Sequence, residues 1–155
     1  MDATQIPDQV WDMIQMHLGY NDEEMRMFRD NPRNAKVLAT AAKMFDKTII
    51  FEVVASGGCN SQHKVGTRFY FSADGNLLAS MAPKKTCVHA MHACAGIINS
   101  MHELWYAGVD PNETSFKRGG CPDVGVCNGG WGHIVVEGRI VDKDEAKRLF
   151  AEQSA

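Results

Sequence analysis

The segment Gly57-Gly58-Cys59-Asn60-Ser61-Gln62-His63-Lys64-Val65-Gly66 sets a thiol and an imidazole four residues apart in a polar, glycine-rich stretch. Such a stretch is poor packing material, so its cysteine and histidine are read first as chemistry. A thiolate with an imidazole beside it is either a nucleophile with its base or a pair of soft metal ligands. Cysteines also stand at 87, 94, 121 and 127, while the first 58 residues and the last 28 contain none. No two cysteines have the CxxC spacing, which removes zinc ribbons and thioredoxin-type redox motifs. An odd number of cysteines in a chain expected in a reducing compartment points to free thiols or thiolate ligands rather than disulfides.

The neighbours of each sulfur sort them. Cys87 falls in the first turn of an expected helix, after Lys84 and Lys85, where the helix dipole and the free N–H groups favour a thiolate. Cys59 has Lys64 and Arg68 downstream, and Cys121 follows Lys117-Arg118-Gly119-Gly120. Cys127 precedes Gly129-Gly130-Trp131-Gly132, and the four glycines from Gly125 to Gly132, with Trp131 among them, are expected to form a mobile flap over the site. Cys94 lies mid-helix on the apolar side and reads as a small core residue. The candidate metal ligands are therefore Cys59, His63, Cys87, Cys121 and Cys127, with Lys64 and Trp131 as candidate contacts to a bound cofactor. Of the other histidines, His89 and His92 are expected on a solvated helix face, His102 as a satisfied buried ring, and His133 in a structural place at the start of a strand.

The elements that must position these groups are legible in the periodicity. The N-terminal part reads as helices: Val10, Ile14 and Leu18 recur at helical spacing until Gly19, Asn21 with Glu24 has the form of a capping box, and Asn31-Pro32 starts a helix whose face is expected to carry Val37, Leu38, Ala41 and Phe45. At Thr48 the pattern changes to strands, over 48–55, 67–72 and 133–141, with a turn at Ala73-Asp74-Gly75-Asn76. A long helix is expected over 84–106, opened by Pro83, with Cys87, Met91, Cys94, Ile98, Met101 and Trp105 along one stripe. Residues 113–132 read as loop, and Asp142 as the cap of a last helix. The expected fold class is α+β: a helical N-terminal segment (1–47), then a small, mainly antiparallel sheet packed by one long helix (48–141), then a C-terminal helix (142–155), all in a single domain.

Composition narrows the functional classes. Apolar residues make up 45% of the 155 and charged residues 23%, with a formal net charge of −3 and no basic run interleaved with aromatics, so nucleic acid is not an expected partner. No apolar run approaches the length of a membrane span. The N-terminal residues Met1-Asp2-Ala3-Thr4-Gln5-Ile6-Pro7-Asp8 are acidic and polar, and the expected location is the cytoplasm.

In order along the chain, Gly58-Cys59 through His63-Lys64-Val65-Gly66, Pro83 to Cys87, and Cys121-Pro122-Asp123 form a G-C-x3-H-K-V-G, P-x3-C, C-P-D pattern. In this pattern the chain resembles a family of small uncharacterised prokaryotic proteins, over about residues 48 to 141. The resemblance implies that Cys59, His63, Cys87 and Cys121 act as one constellation, and it brings no established activity.

Three functions compete. The first is a metal- or iron–sulfur-binding protein, redox-active or an accessory subunit, holding an iron–sulfur cluster or zinc on its thiolates. The second is a cofactor-free thiol enzyme, with Cys87 or Cys59 as nucleophile and His63 as base, acting on a small anionic ligand held by Lys64, Arg68, Lys84, Lys85, Lys117 and Arg118. The third is a non-catalytic module that docks a protein partner through the methionines of the N-terminal helices, Met13, Met16, Met25, Met27 and Met44.

Overall fold

The computed structural model describes residues 6–41 and 43–154; the first five residues of the polar N-terminal stretch lie outside them. The chain separates into two compact units, 1–43 and 44–155.

The first unit holds three helices, α1 (Asp8–Leu18), α2 (Asp22–Asp30) and α3 (Pro32–Ala41). Gly19 ends α1 in the left-handed region at φ +70°, where a side chain would be strained. The Asn21–Glu24 capping box is formed in both directions, at 2.9 Å each way. Trp11, 2% exposed, meets Phe28 edge-on at 6.2 Å, and the Arg29 guanidinium lies 5.2 Å over the Trp11 ring while bonding Asp8 at 2.5 Å. Phe45 is not part of α3, which ends at Ala41; it sits in a turn of the second unit and is exposed. Of the methionines expected to make an adaptable surface, Met25 and Met44 are buried, and Met13, Met16 and Met27 are exposed.

The second unit is an antiparallel sheet with a helix on each face. Its strands are β1 (Lys47–Gly57), β2 (Arg68–Ser72), β3 (Arg118–Gly120) and β4 (His133–Asp142), in the order β2-β1-β4-β3. Helix α4 (Val88–Tyr106) covers one face, where Ile49, Phe51, Val53, Phe69, Phe71 and Val136 pack on Ala90, Ala93, Cys94, Ile97, Ile98 and Met101. Helix α5 (Lys143–Ser154) covers the other through Ala146, against Ile50 and Tyr70. This explains the composition of Thr48-Ile49-Ile50-Phe51: a strand buried on both sides needs apolar residues at consecutive positions, not at alternate ones. Cys94 is fully buried and its thiol is pushed up to about 12 by burial, which keeps it protonated and inert. His102 donates to the Ala73 carbonyl at 2.7 Å, in the satisfied role expected of it.

Two elements differ from the sequence-based expectation. Arg118–Gly120, expected as loop, is a three-residue edge strand, too short and glycine-rich to carry a strand pattern of its own. The long helix begins at Val88, not Lys84. Its first intrahelical bond runs from Met91 N–H to the Cys87 carbonyl at 3.1 Å, and Cys87 is extended at φ −86°, ψ 133°. Cys87 is thus the N-cap, one position outside the helix. Among the described residues no helix is long and apolar enough to cross a membrane.

Candidate functional site

The register of β1 against β4 sets Gly57 opposite His133. The two chains that extend past this pair, Gly58-Cys59 on one side and Trp131-Gly132 on the other, press their backbones together. A β-carbon on Gly132 would overlap the Gly58 carbonyl and lie 2.8 Å from the Gly57 oxygen; one on Gly58, already at φ +67°, would lie 3.0 Å from the Trp131 oxygen. Glycine at both positions is what lets the loop carrying Cys59 lie against the loop that follows Cys121. At the same end of the sheet, β3 delivers Cys121 and α4 delivers Cys87.

These pieces border an open cavity of about 780 Å³ whose lining includes Cys59, His63, Cys87, Cys121 and Trp131. Four of the five expected ligands and one of the two expected cofactor contacts therefore meet in one place. Cys127 and Lys64 are not among the lining residues; both are exposed, Cys127 in a 3-10 turn and Lys64 on the outside of the loop beyond His63. Among the described residues, no three Cys, His, Asp or Glu side chains stand close enough together to hold an ion as they are.

Each donor has a distinct environment. His63 is only 3% exposed, its ring meets Phe69 edge-on at 5.0 Å, and its Nε2 has no hydrogen-bond partner. Desolvation lowers its pKa, so the ring is neutral at pH 7, the form that binds a metal or accepts a proton. The preceding Gln62 is left-handed at φ +61°, and Ser56 Oγ donates to the His63 carbonyl at 2.6 Å, so the loop is bent and pinned to present this ring inward.

Burial alone would raise the Cys87 pKa, but the backbone N–H groups of Ala90 and His89 and the Ser61 side chain outweigh it, and the net shift is downward. The sulfur makes no capping hydrogen bond of ordinary geometry; the first-turn N–H groups act on it as oriented dipoles. Cys121 is tied to β4 in two ways: its N–H donates to the Ile134 carbonyl at 3.1 Å, and Ile134 N–H donates to its sulfur at 3.3 Å. N–H groups aimed at sulfur stabilise negative charge there, in a free thiolate or a metal-bound one.

Asp123, which the sequence shows only as part of the Cys121-Pro122-Asp123 motif and without a role, is a positioning residue. Its Oδ1 accepts from Gly125 and Trp131 N–H and its Oδ2 from Gly132 N–H, each at 3.0 Å. The loop expected as a flap is thus tied to one carboxylate at both ends. A β-carbon on Gly130 would overlap Oδ1, so the loop needs glycine there as well. The signal was present in the sequence, because an aspartate two residues before a glycine in a turn-rich segment is an Asx-turn pattern. His89 was also underrated. It is exposed, as expected, but it lines the cavity near Asp123 because the 121–132 loop folds over the first turn of α4.

The Asp123 carboxyl is held below its usual 3.8, chiefly by the Gly132 and Gly125 N–H groups. A depressed carboxyl contributes its stabilisation in full above the unfolded value and loses it as pH falls below 3.8 through the folded one. Protection of the Gly125, Trp131 and Gly132 amides from hydrogen exchange should therefore stay level from neutral pH to about 5 and fall below the aspartate range. Asp123→Asn should remove that step, and a variant profile identical to the wild type would take the carboxylate out of this role.

The basic residues expected to bind an anion divide. Arg68 is paired with Glu52 at 2.7 Å, and Arg118 and Lys117 share Glu137 at 2.7 and 3.5 Å. Lys64, Lys84 and Lys85 are exposed, with no ion pair formed among the described residues. His133 packs between Gly57 and Gly125 at the start of β4, with its Nδ1 buried and without a hydrogen-bond partner. No family model, curated protein or solved structure matches the chain.

Proposed function

We propose that the chain holds a thiophilic metal centre, zinc or an iron–sulfur cluster, on the thiolates of Cys59, Cys87 and Cys121 with His63 Nε2 as the fourth donor. The observation that carries this reading is the meeting of three thiols and one buried, unpartnered imidazole nitrogen on a single cavity. Three thiolates and one histidine make a recurrent zinc set, and soft donors also select iron–sulfur clusters over magnesium or calcium. The donors come from two loops and a helix start, so binding draws them inward and couples to local folding.

Metal analysis of anaerobically prepared protein tests this. One equivalent of zinc in colourless protein, or iron and sulfide with broad visible absorbance, is the expected result. Cys59→Ser, Cys87→Ser and Cys121→Ser should each weaken binding by about tenfold or more, while Cys127→Ser should bind as the wild type does. Equal retention in all four variants would dissolve the proposed set.

A second reading is favoured by the lowered Cys87 pKa at a helix N-terminus: a thiol enzyme with Cys87 as nucleophile and His63 as base. Metal-free protein in which Cys87 alone alkylates rapidly below neutral pH would bring that reading forward.

A further inference from the structure

The cavity is larger than a metal needs. Four donors around one ion occupy a shell of about 2.3 Å radius, whereas the cavity volume of about 780 Å³ lies within the roughly 300–1,000 Å³ of small-molecule sites. We propose that it also takes a small planar carboxylate, with its flat apolar body against the Trp131 indole and its charge toward the N-terminal turn of α4.

The wall chemistry selects this guest. Trp131 lines the cavity yet is 86% exposed, and Val126 beside it is 78% exposed. An indole anchored through its backbone to Asp123 but left in water offers a large flat surface that a planar ligand covers favourably. The charge of the wall is equally one-sided. Among the described residues Asp123 is the only carboxylate in the lining, and its two oxygens are engaged by three N–H groups of its own loop. Helix α4 is 19 residues long with no acidic residue in its first turn, and its His89 faces the cavity. Lys84 and Lys85 stand exposed just before Cys87. The helix dipole and first-turn N–H groups favour a bound anion, a His89 ring N–H adds a donor in the lining, and Lys84 and Lys85, outside the lining, add positive charge at the same helix end. A separate sign that something polar completes the cavity is His63, whose side chain is almost wholly buried while its Nε2 lacks a partner.

The proposal concerns the metal-free state, in which His63 Nε2 and the thiols are not engaged by an ion, so its test uses chelator-treated, metal-free protein, and a failure of the metal reading does not touch it. Benzoate, benzyl alcohol and inorganic phosphate are titrated while the Trp131 indole N–H resonance and the heat of binding are followed. Benzoate should bind saturably and shift that resonance, and benzyl alcohol and phosphate should bind about tenfold more weakly or worse. Trp131→Ala, a change at an exposed side chain, should weaken benzoate by about tenfold, and added salt should weaken it further. Equal binding of benzyl alcohol, preference for phosphate, no effect of Trp131→Ala, or no saturable shift would each overturn the proposal.

Discussion

Gly132→Ala should destabilise the sheet-containing unit by about 3 kcal/mol or more and dismantle the thiol cavity. The added carbon would overlap the Gly58 carbonyl and crowd the Gly57 oxygen at 2.8 Å. These are backbone atoms beside the β1–β4 pair Gly57–His133, so no side chain can rotate away to relieve the overlap. The two loops must part, and Cys59 moves away from Cys121. Urea unfolding of the variant measures the stability loss, and metal content measures the loss of convergence. Gly96→Ala is the matched control: Gly96 is exposed in α4 with nothing near its absent side chain, and alanine there should stabilise by about 0.5–1 kcal/mol. Unfolding midpoints that match between Gly132→Ala and the wild type would show that the close approach does not organise the site.

Gly119→Ala acts on the other side of the cavity. A β-carbon there would lie 2.5 Å from the Ala93 carbonyl oxygen of α4 and 3.1 Å from Ile97 Cδ1. Ile97 can adjust, but the helix carbonyl cannot. The yielding part is β3, an edge strand of three residues held by β4 alone. A cost of about 1–3 kcal/mol is expected. Its more specific result is that Cys121, two residues on, swings away from Cys87. Mass spectrometry of alkylated protein should find Cys121 reacting faster in the variant while Cys94 stays protected. An unchanged Cys121 rate would mean that β3 does not set its position.

Much of both units could be read from local pattern because the physics there is local. Apart from Glu52, residues 48–55 are rich in apolar and β-branched side chains because a helix covers each face of β1, and the Asn21–Glu24 box closes over four residues. Helix α4 was displaced by one turn for the opposite reason. Pro83 is compatible with a helix start, but no backbone bond closes a turn between Pro83 and Cys87, and nothing local separates a permitted start from an actual one. That shift makes Cys87 an N-cap, with its sulfur under the first-turn N–H groups.

The site divides along the same line. Residue type and loop chemistry singled out Cys59, His63, Cys87, Cys121 and Trp131, and set Cys94 aside as core. Cys127 passed the same local test, in a glycine-rich loop, yet stands outside the cavity lining. Its exclusion follows from how Asp123 gathers its loop, a matter of three hydrogen bonds across up to nine residues. Arg68, Lys117 and Arg118 looked free to bind an anion until the strand register brought Glu52 and Glu137 beside them.

The sequence by itself determined the elements and which side chains carry chemistry, since periodicity and side-chain reactivity are properties of short stretches. Only the tertiary structure decided which of them share a cavity. That depends on β1–β4 register and on backbone contact at Gly58, Gly119 and Gly132, where the decisive feature is an absent side chain whose neighbour lies far away along the chain.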